Sequence, residues 1–376
     1  NSVAVRCREP AQRFSGRLTL DCQDGGRELA PFIGSKGANL GEIARILGPQ
    51  RVPPWFAITD AAFQELMAGP PGRAAAAVGI DPACPSLAAA IDEILARPDT
   101  RAAGKASAIR QLWEGVPLSP QLGAEIEAGY HALGEGCFVA IRSSAFEEDT
   151  EGSSWAGQFD TFLFIPGEEA VRDHLKRAMA SLWTERAIIQ REQAGDPAVQ
   201  RGGGVIVQRI VDARVAGVLH TLSATAGQAR EMVINVGLGL GEGVVSGTVE
   251  VDHVVVSRET SLEEDPLRVR YLVGDKSSRI VFDRRTGSGT RREETLYHQR
   301  LRAALEYSDL GDVVRAAARL ERAYGYPLDI EFAFEADALY ILQARPIVAF
   351  QNALRATVEQ APLAPAVAPS RKDKTA

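Results

Sequence analysis

The chain has 376 residues, of which 45% are hydrophobic, and a formal net charge of −7 from 42 basic and 49 acidic side chains. This length allows two lobes with buried cores, and the acidic balance argues against a nucleic-acid partner. The start of the chain shows no signal-peptide pattern and no apolar run is long enough to span a bilayer, so we expect no membrane partner and a cytoplasmic location.

Most of the predicted helices lie in the first half of the chain. Residues 1–30 form a polar leader whose fold the sequence does not define. Beyond it, apolar residues recur at helical spacing between proline-rich breaks. The predicted helices span residues 36–47, 61–67, 86–96, 121–133 and 170–193. A turn near Gly195 and the glycine run at 202–204 indicate the end of a first lobe, which we assign to residues 31–200.

The second half begins with predicted strands and ends with predicted helices. The strands span residues 205–211, 215–220, 231–236, 248–256 and 279–283, and the helices span 293–305 and 309–324. We assign residues 201–349 to a second lobe and expect an α+β fold. Residues 350–376, with prolines among alanines, are predicted to be a linker or a flexible tail. The four cysteines show no Cys-x-x-Cys spacing and are typical of reduced thiols.

Two adjoining strand-like segments in the second lobe carry a conspicuous set of polar residues. Asp329 and Glu331 alternate with apolar residues on the first segment, and Gln343 and Arg345 do so on the second. Because side chains alternate along a strand, one face of a hairpin could hold all four. Carboxylate and amide oxygens suit Mg²⁺, and arginine suits phosphate. The segments predict a metal and phosphate site, and a surface hairpin with polar cross-strand pairs is the alternative.

Two further segments, both in the first lobe, are built to approach an anion. A predicted strand delivers Arg142 to its end, where Ser143 and Ser144 precede a polar loop that contains a glycine. Lys36 lies in a glycine-rich turn that opens a helix, where the helix dipole favours negative charge. The alternatives are a solvated lysine and an arginine in an ordinary salt bridge.

Together these segments resemble the nucleotide-binding domain of pyruvate phosphate dikinase and phosphoenolpyruvate synthase. The resemblance runs in order from about Phe32 to about Val348 and rests on five motifs. They are Gly-Ser-Lys-Gly-Ala-Asn-Leu from Gly34, Ala-Ile-Arg-Ser-Ser-Ala from Ala140 with the acidic residues after it, Trp-Ala-Gly-Gln from Trp155, the glycine-rich run from Gly239 to Gly247, and Asp-Ile-Glu from Asp329 with Gln-Ala-Arg-Pro from Gln343.

The resemblance implies a two-lobed ATP-grasp fold that closes on ATP and Mg²⁺. By this likeness Lys36 and Arg142 contact phosphate oxygens, Glu331 and Gln343 hold Mg²⁺, and Arg345 lies beside the transferring phosphoryl group. Lys36, Arg142 and Arg345 are then the catalytic residues. The remaining implied nucleotide contacts are a loop over the triphosphate with Ser154, Ala156 and Gly157, Gln208 beside adenine, and Glu242 near the ribose.

The resemblance also implies partners that this chain does not supply. In the family, phosphate passes to a histidine on a separate swivelling domain and then to a small-molecule acceptor on another domain. None of the five histidines here has the carrier setting, and His220 stands where the family usually has an aromatic residue. We therefore expect a phosphohistidine carrier domain or subunit, in cis or in trans. The alternatives are the ATP-binding subunit of a phenylphosphate synthase-type enzyme and a non-catalytic ATP-sensing module.

Overall fold

The computed structural model describes residues 13–146, 160–195, 202–222, 231–258 and 267–347. Within them, runs of helices and runs of strands follow one another along the chain in an α+β arrangement, as predicted. The strands are β1 (Thr19–Asp21), β2 (Trp55–Ile58), β3 (Phe138–Ala145), β4 (Thr161–Pro166), β5 (Gly203–Arg209), β6 (Val215–His220), β7 (Glu231–Leu238), β8 (Asp252–Ser257), β9 (Val269–Leu272), β10 (Ser278–Phe282), β11 (Thr290–Glu294), β12 (Leu328–Glu335) and β13 (Ala338–Pro346). The helices are α1 (Ala30–Leu47), α2 (Asp60–Ala68), α3 (Leu87–Leu95), α4 (Ala102–Gly115), α5 (Pro120–Leu133), α6 (Gly167–Ala180), α7 (Glu185–Ala194), α8 (Gly241–Val245), α9 (Tyr297–Arg300) and α10 (Tyr307–Tyr324).

The first sheet has the strand order β1-β2-β5-β3-β4, with antiparallel neighbours. One of its faces packs against the helices of the first lobe. Alternate residues of its strands, such as Ile58 and Val207, enter a core with the stacked rings of Phe63, Trp113 and Trp183. Burial of this apolar surface is the main force that holds the helices on the sheet.

The second sheet has the order β13-β12-β6-β7-β8-β9 and is also antiparallel. Its buried face packs against α10, and the same core takes in Trp55 and Ile206 from the opposite face of the first sheet. Helix α1 contacts β3, β5 and β13 and contributes Ile33 and Leu40 to this core. The two sheets are therefore joined through α1, which brings the ends of β3 and β13 into reach of each other.

The chain passes from one sheet to the other later than the glycine run at 202–204 suggests. β5 lies in the first sheet, between β2 and β3, although the sequence places residues from 201 onward in the second lobe. Val205 and Ile206 point into different cores, so this strand is covered on both faces. Part of the leader is also structured, because β1 pairs with β2 and Leu20 is buried.

The predicted helices at 36–47, 61–67, 86–96, 121–133 and 309–324 are confirmed, but two others are wrong. The one at 170–193 is interrupted by a 3₁₀ turn at Ser181–Trp183, after which Thr184 caps α7 by accepting from Ala187 N. The one at 293–305 begins instead with β11, which pairs with β10, and retains only the single turn α9. Helix α4 is not among the helices that the sequence pattern predicts.

No helix in the described part of the chain is both long enough and apolar enough to cross a bilayer. Cys22, Cys84 and Cys137 are free thiols, as their spacing indicates.

Candidate functional site

The β12–β13 hairpin presents its polar residues as the strand period predicts. Asp329 pairs in register with Arg345, and Glu331 pairs with Gln343. The intervening Ile330 and the partner-strand Ala344 are fully buried on the opposite face. Two carboxylates, an amide and a guanidinium therefore lie on one face of the second sheet, and the pairing predicted from the sequence is confirmed.

A register shift follows Glu331 and makes a β-bulge in the hairpin. Phe332 pairs with Ile341, so Leu342 has no partner residue on β12. Bulged residues often redirect backbone or side-chain groups toward a site. Here the Leu342 carbonyl oxygen accepts a hydrogen bond from Nη1 of Arg142 at 3.0 Å. No sequence signal identifies this contact, because a bulge depends on how two strands pair.

Arg142 connects the two sheets at this point. It projects from β3 in the first sheet, with its side chain 15% exposed. Its Nη2 donates to Gln343 Oε1 at 2.6 Å and lies 3.7 Å from Glu331 Oε2. The guanidinium therefore sits between the two predicted metal ligands, and residues from distant parts of the chain converge as predicted.

Lys36 reaches the same end of β3 from α1. The helix is broken at Gly34, whose backbone has φ 73° and ψ 170°, a conformation essentially restricted to glycine. Any Cβ at Gly34 would lie 2.2 Å from the Ser144 carbonyl oxygen. After the break, Lys36 Nζ donates to Ser143 O at 3.2 Å, next to Arg142 along the strand. The break thus brings the restarted helix and its lysine against the strand that carries Arg142.

The oxygen atoms at the site suit a magnesium ion. Glu331 Oε2 and Gln343 Oε1 both face one guanidinium nitrogen, so a positive group already lies between a carboxylate and an amide oxygen. These are the hard ligands that Mg²⁺ prefers. The carboxylate and amide oxygens present therefore fit the metal that the sequence resemblance implies.

Arg345 is held by its register partner. Its Nε and Nη2 each lie 2.9 Å from Asp329 Oδ2, and its side chain is 45% exposed. His220 on β6 is in register with Asp329, and its Nε2 lies 3.5 Å from Asp329 Oδ1. The sequence alone gives His220 no role in the site, so its position on this face was missed.

Gln208 and Glu242 occupy different surroundings. Gln208 lies on β5 opposite Ala140, on the same face of the first sheet as Arg142, and its buried amide donates to the Pro53 carbonyl at 3.3 Å. Glu242 on α8 is exposed and accepts from Thr290 Oγ1 at 2.7 Å. It lines a cleft of about 460 Å³ formed with β4, α6 and the β10–β11 turn. Ser154, Ala156 and Gly157 lie outside the described residues.

Helix α1 contacts strands of both sheets, and charged side chains of the two sheets meet where Arg142 approaches Glu331. The fold is a two-lobed ATP-grasp fold of the α+β class. The chain belongs to the family described as the AMP/ATP-binding domain of pyruvate phosphate dikinase, whose model matches residues 30–362.

Curated relatives cover most of this chain. A rifampicin phosphotransferase from Streptomyces sp. is 33% identical over 341 residues, covering 89% of this chain and 36% of the relative. The phosphoenolpyruvate synthase of Pyrococcus furiosus is 30% identical over 365 residues, covering 88% and 43%. A probable phosphoenolpyruvate synthase of Methanocaldococcus jannaschii is 33% identical over 327 residues, covering 85% and 26%. The chain therefore spans less than half the length of these relatives.

Proposed function

We propose that this chain is the ATP-binding, phosphoryl-donating part of a dikinase-type phosphotransferase. It passes phosphate from Mg-ATP to a histidine on a separate domain or subunit. The observation that carries the proposal is the contact of Arg142 with Gln343, beside Glu331, which joins a phosphate-type ligand of one sheet to metal-type ligands of the other. Membership of an AMP/ATP-binding family supports it.

Each side chain of the cluster then has a specific task. Lys36 and Arg142 bind phosphate oxygens, and Arg345 lies beside the transferring phosphoryl group. Glu331 and Gln343 hold Mg²⁺, which supplies positive charge to the phosphates when bound. The remaining nucleotide contacts, taken from the family resemblance, are Gln208 beside adenine, Glu242 near the ribose, and Ser154, Ala156 and Gly157 over the triphosphate.

The chemistry of phosphoryl transfer matches such a set of residues. The transition state is loose and anionic, so the protein mainly aligns the reacting groups and stabilises negative charge on the oxygens. Fixed charged donors perform this task without a nucleophilic side chain in the lobe itself. Arg142 is already fixed by hydrogen bonds to the second sheet, so its guanidinium is held close to where such charge would develop.

The acceptor lies beyond the residues that carry this cluster. Relatives more than twice as long as the matched region are phosphotransferases or phosphoenolpyruvate synthases by name. We infer that a phosphohistidine carrier, in cis or in trans, receives the phosphate and hands it to a small-molecule acceptor on another domain. Lys36, Arg142, Glu331, Gln343 and Arg345 are all present, which favours catalysis over a role in ATP sensing alone.

Product analysis tests this function. The chain is incubated with ATP and Mg²⁺, with and without a separately expressed histidine-carrier domain, and AMP, ADP and phosphate are measured. AMP plus phosphate, formed only when the carrier is present, is the expected result. ADP alone would indicate a simple kinase, and binding of ATP without any turnover would indicate a sensor.

A further inference from the structure

Three neighbouring strands of the second sheet carry a row of polar side chains beside the metal ligands. His220 on β6 pairs with Asp329 on β12, which pairs with Arg345 on β13. In the adjacent row, Val218 lies opposite Glu331 on the same face. The same face of β6 therefore carries a valine opposite Glu331 and a histidine opposite Asp329.

The two carboxylate oxygens of Asp329 differ in their hydrogen bonding. Oδ2 receives both Nε and Nη2 of Arg345, each at 2.9 Å. Oδ1 is inaccessible to solvent and accepts no hydrogen bond from the described residues. A buried carboxylate oxygen without a partner is costly. His220 Nε2 faces this oxygen at 3.5 Å, just beyond a good hydrogen bond.

The ion pair between Arg345 and Asp329 must break before Arg345 can turn toward a phosphoryl group, as its proposed task requires. An arginine that turns toward a phosphoryl group leaves its former partner, and the side chain of Asp329 is only 13% exposed. Water can therefore replace the lost cation only in part, and an unpaired charge would remain in a poorly solvated place. The side chain of His220 is 39% exposed and its Nε2 lies 3.5 Å from Oδ1, so a small movement would bring the two atoms within hydrogen-bond distance.

We propose that His220 is a positioning residue. It becomes the hydrogen-bond partner of Asp329 when Arg345 contacts the phosphoryl end of the nucleotide. This inference rests on the proposed function. His220 acts through Asp329: its Nε2–H closes onto Oδ1 as the arginine departs, and the imidazole itself does not contact phosphate. The hydrogen bond from His220 then lowers the free-energy cost of releasing Arg345 from Asp329. The resulting gain in affinity applies only to nucleotides whose terminal phosphate reaches that arginine.

Substitutions at position 220 separate this role from a structural one. Binding of Mg-ATP and of AMP is measured by calorimetry for the wild type, His220→Phe and His220→Gln, with thermal unfolding as the check on folding. His220→Phe is expected to weaken Mg-ATP binding by about tenfold, the size of one hydrogen bond to a charged group, and AMP binding by less than about twofold. His220→Gln retains an N–H donor and is expected to stay within about threefold of the wild type.

A double-mutant cycle tests the route through Asp329. In an Asp329→Asn background, His220→Phe should cause almost no further loss of Mg-ATP affinity, because the charge it serves is gone. His131→Phe is the matched control, since His131 contacts the Glu168 carboxylate at 2.7 Å on the helical side of the first lobe. It should bind Mg-ATP as the wild type does.

The outcomes distinguish this inference from the proposed function. If wild-type chain ignores Mg-ATP, the proposed function fails and the inference fails with it. If the wild type binds but His220→Phe binds equally well, or His220→Gln is as weak as His220→Phe, the function stands and the role of His220 is overturned. A loss from His220→Phe that persists in full with Asp329→Asn also overturns it.

Discussion

Arg142 and Gln343 are separated by 201 positions in the chain, yet the Nη2 atom of one donates to the Oε1 atom of the other at 2.6 Å. One residue belongs to the first sheet and the other to the second. The contact places a cationic group of one lobe directly beside oxygen atoms of the other. Under the proposed function, a highly charged ligand binds between the lobes at this contact.

Loss of Arg142 should remove activity while leaving the fold intact. Arg142→Ala is expected to lower phosphoryl transfer by about 10²–10³, because it removes a preorganised donor to the phosphate oxygens. Transfer rate and thermal midpoint are measured on the same preparation. Arg209→Ala is the matched control, since Arg209 also spans the two sheets, 3.1 Å from Glu335, but lies outside the cluster. Equal losses of activity in both variants would mean that activity depends on contacts between the sheets in general, and not on the place of Arg142 in the cluster.

The Mg²⁺ requirement should depend on Glu331. Glu331→Gln keeps the shape of the side chain but removes the charge, so we expect half-maximal activity to need about tenfold more Mg²⁺. Glu335→Gln, on the same strand, is the control for a general change in surface charge. Titration of Mg²⁺ after treatment with a chelator gives both values. An unchanged Mg²⁺ dependence in Glu331→Gln would remove Glu331 from the metal site.

Gly34 should be intolerant of any side chain. Gly34→Ala is expected to lower the free energy of unfolding by about 2 kcal/mol or more, because alanine resists this backbone conformation and its Cβ would meet Ser144 O at 2.2 Å. Affinity for Mg-ATP should fall as well, since Lys36 follows the break. Denaturant unfolding and calorimetry report the two effects.

A matched glycine provides the comparison for Gly34. Gly123 lies in α5 with an ordinary helical backbone, and a Cβ added there would meet no heavy atom within 4 Å. Gly123→Ala should stabilise the chain by up to about 1 kcal/mol. If Gly34→Ala were as well tolerated as Gly123→Ala, the helix break would not be a requirement of the fold.

A buried ion pair lies in the second lobe, away from the candidate site. Lys276 and Asp252 are both fully buried and paired, and Asp252 also accepts from Tyr271 Oη at 2.8 Å and Ala304 N at 2.7 Å. Burial raises the pKa of the Tyr271 hydroxyl well above its ordinary value, so this group remains a donor. Lys276→Met should lower the free energy of unfolding by about 3–5 kcal/mol, because it leaves a buried carboxylate without its cation.

The comparison for this pair is an exposed one. Arg284 lies 3.7 Å from Asp212, with side-chain exposures of 78% and 58%. Arg284→Ala should change the free energy of unfolding by no more than about 1 kcal/mol, because solvent screens the pair. Urea unfolding of the two variants side by side measures the difference. A loss from Lys276→Met as small as the one expected from Arg284→Ala would mean that Lys276 is not a stabilising residue.

Local patterns in the sequence are sufficient to predict part of this structure. The two-residue period places Asp329, Glu331, Gln343 and Arg345 on one face, and the register of β12 with β13 agrees. The strand predicted at 215–220 is β6. These features depend on neighbours close in the chain, which is why they can be predicted.

Other features depend on pairings between distant segments. The glycine run before β5 is a strong local break, but only the partners β2 and β3 decide that the strand joins the first sheet. The bulge at Leu342 depends on the register of two strands, and the approach of His220 to Asp329 depends on β6 lying beside β12. A single sequence carries no signal for these contacts.

Calorimetric titration of Mg-ATP into the wild type and Arg142→Ala shows whether the two lobes gather charged residues around one magnesium-bound polyphosphate. We predict saturable binding to the wild type and a loss of at least about tenfold in Arg142→Ala. A wild-type chain that does not bind Mg-ATP, or an Arg142→Ala variant that binds it with unchanged affinity, would show that the lobes do not form such a site.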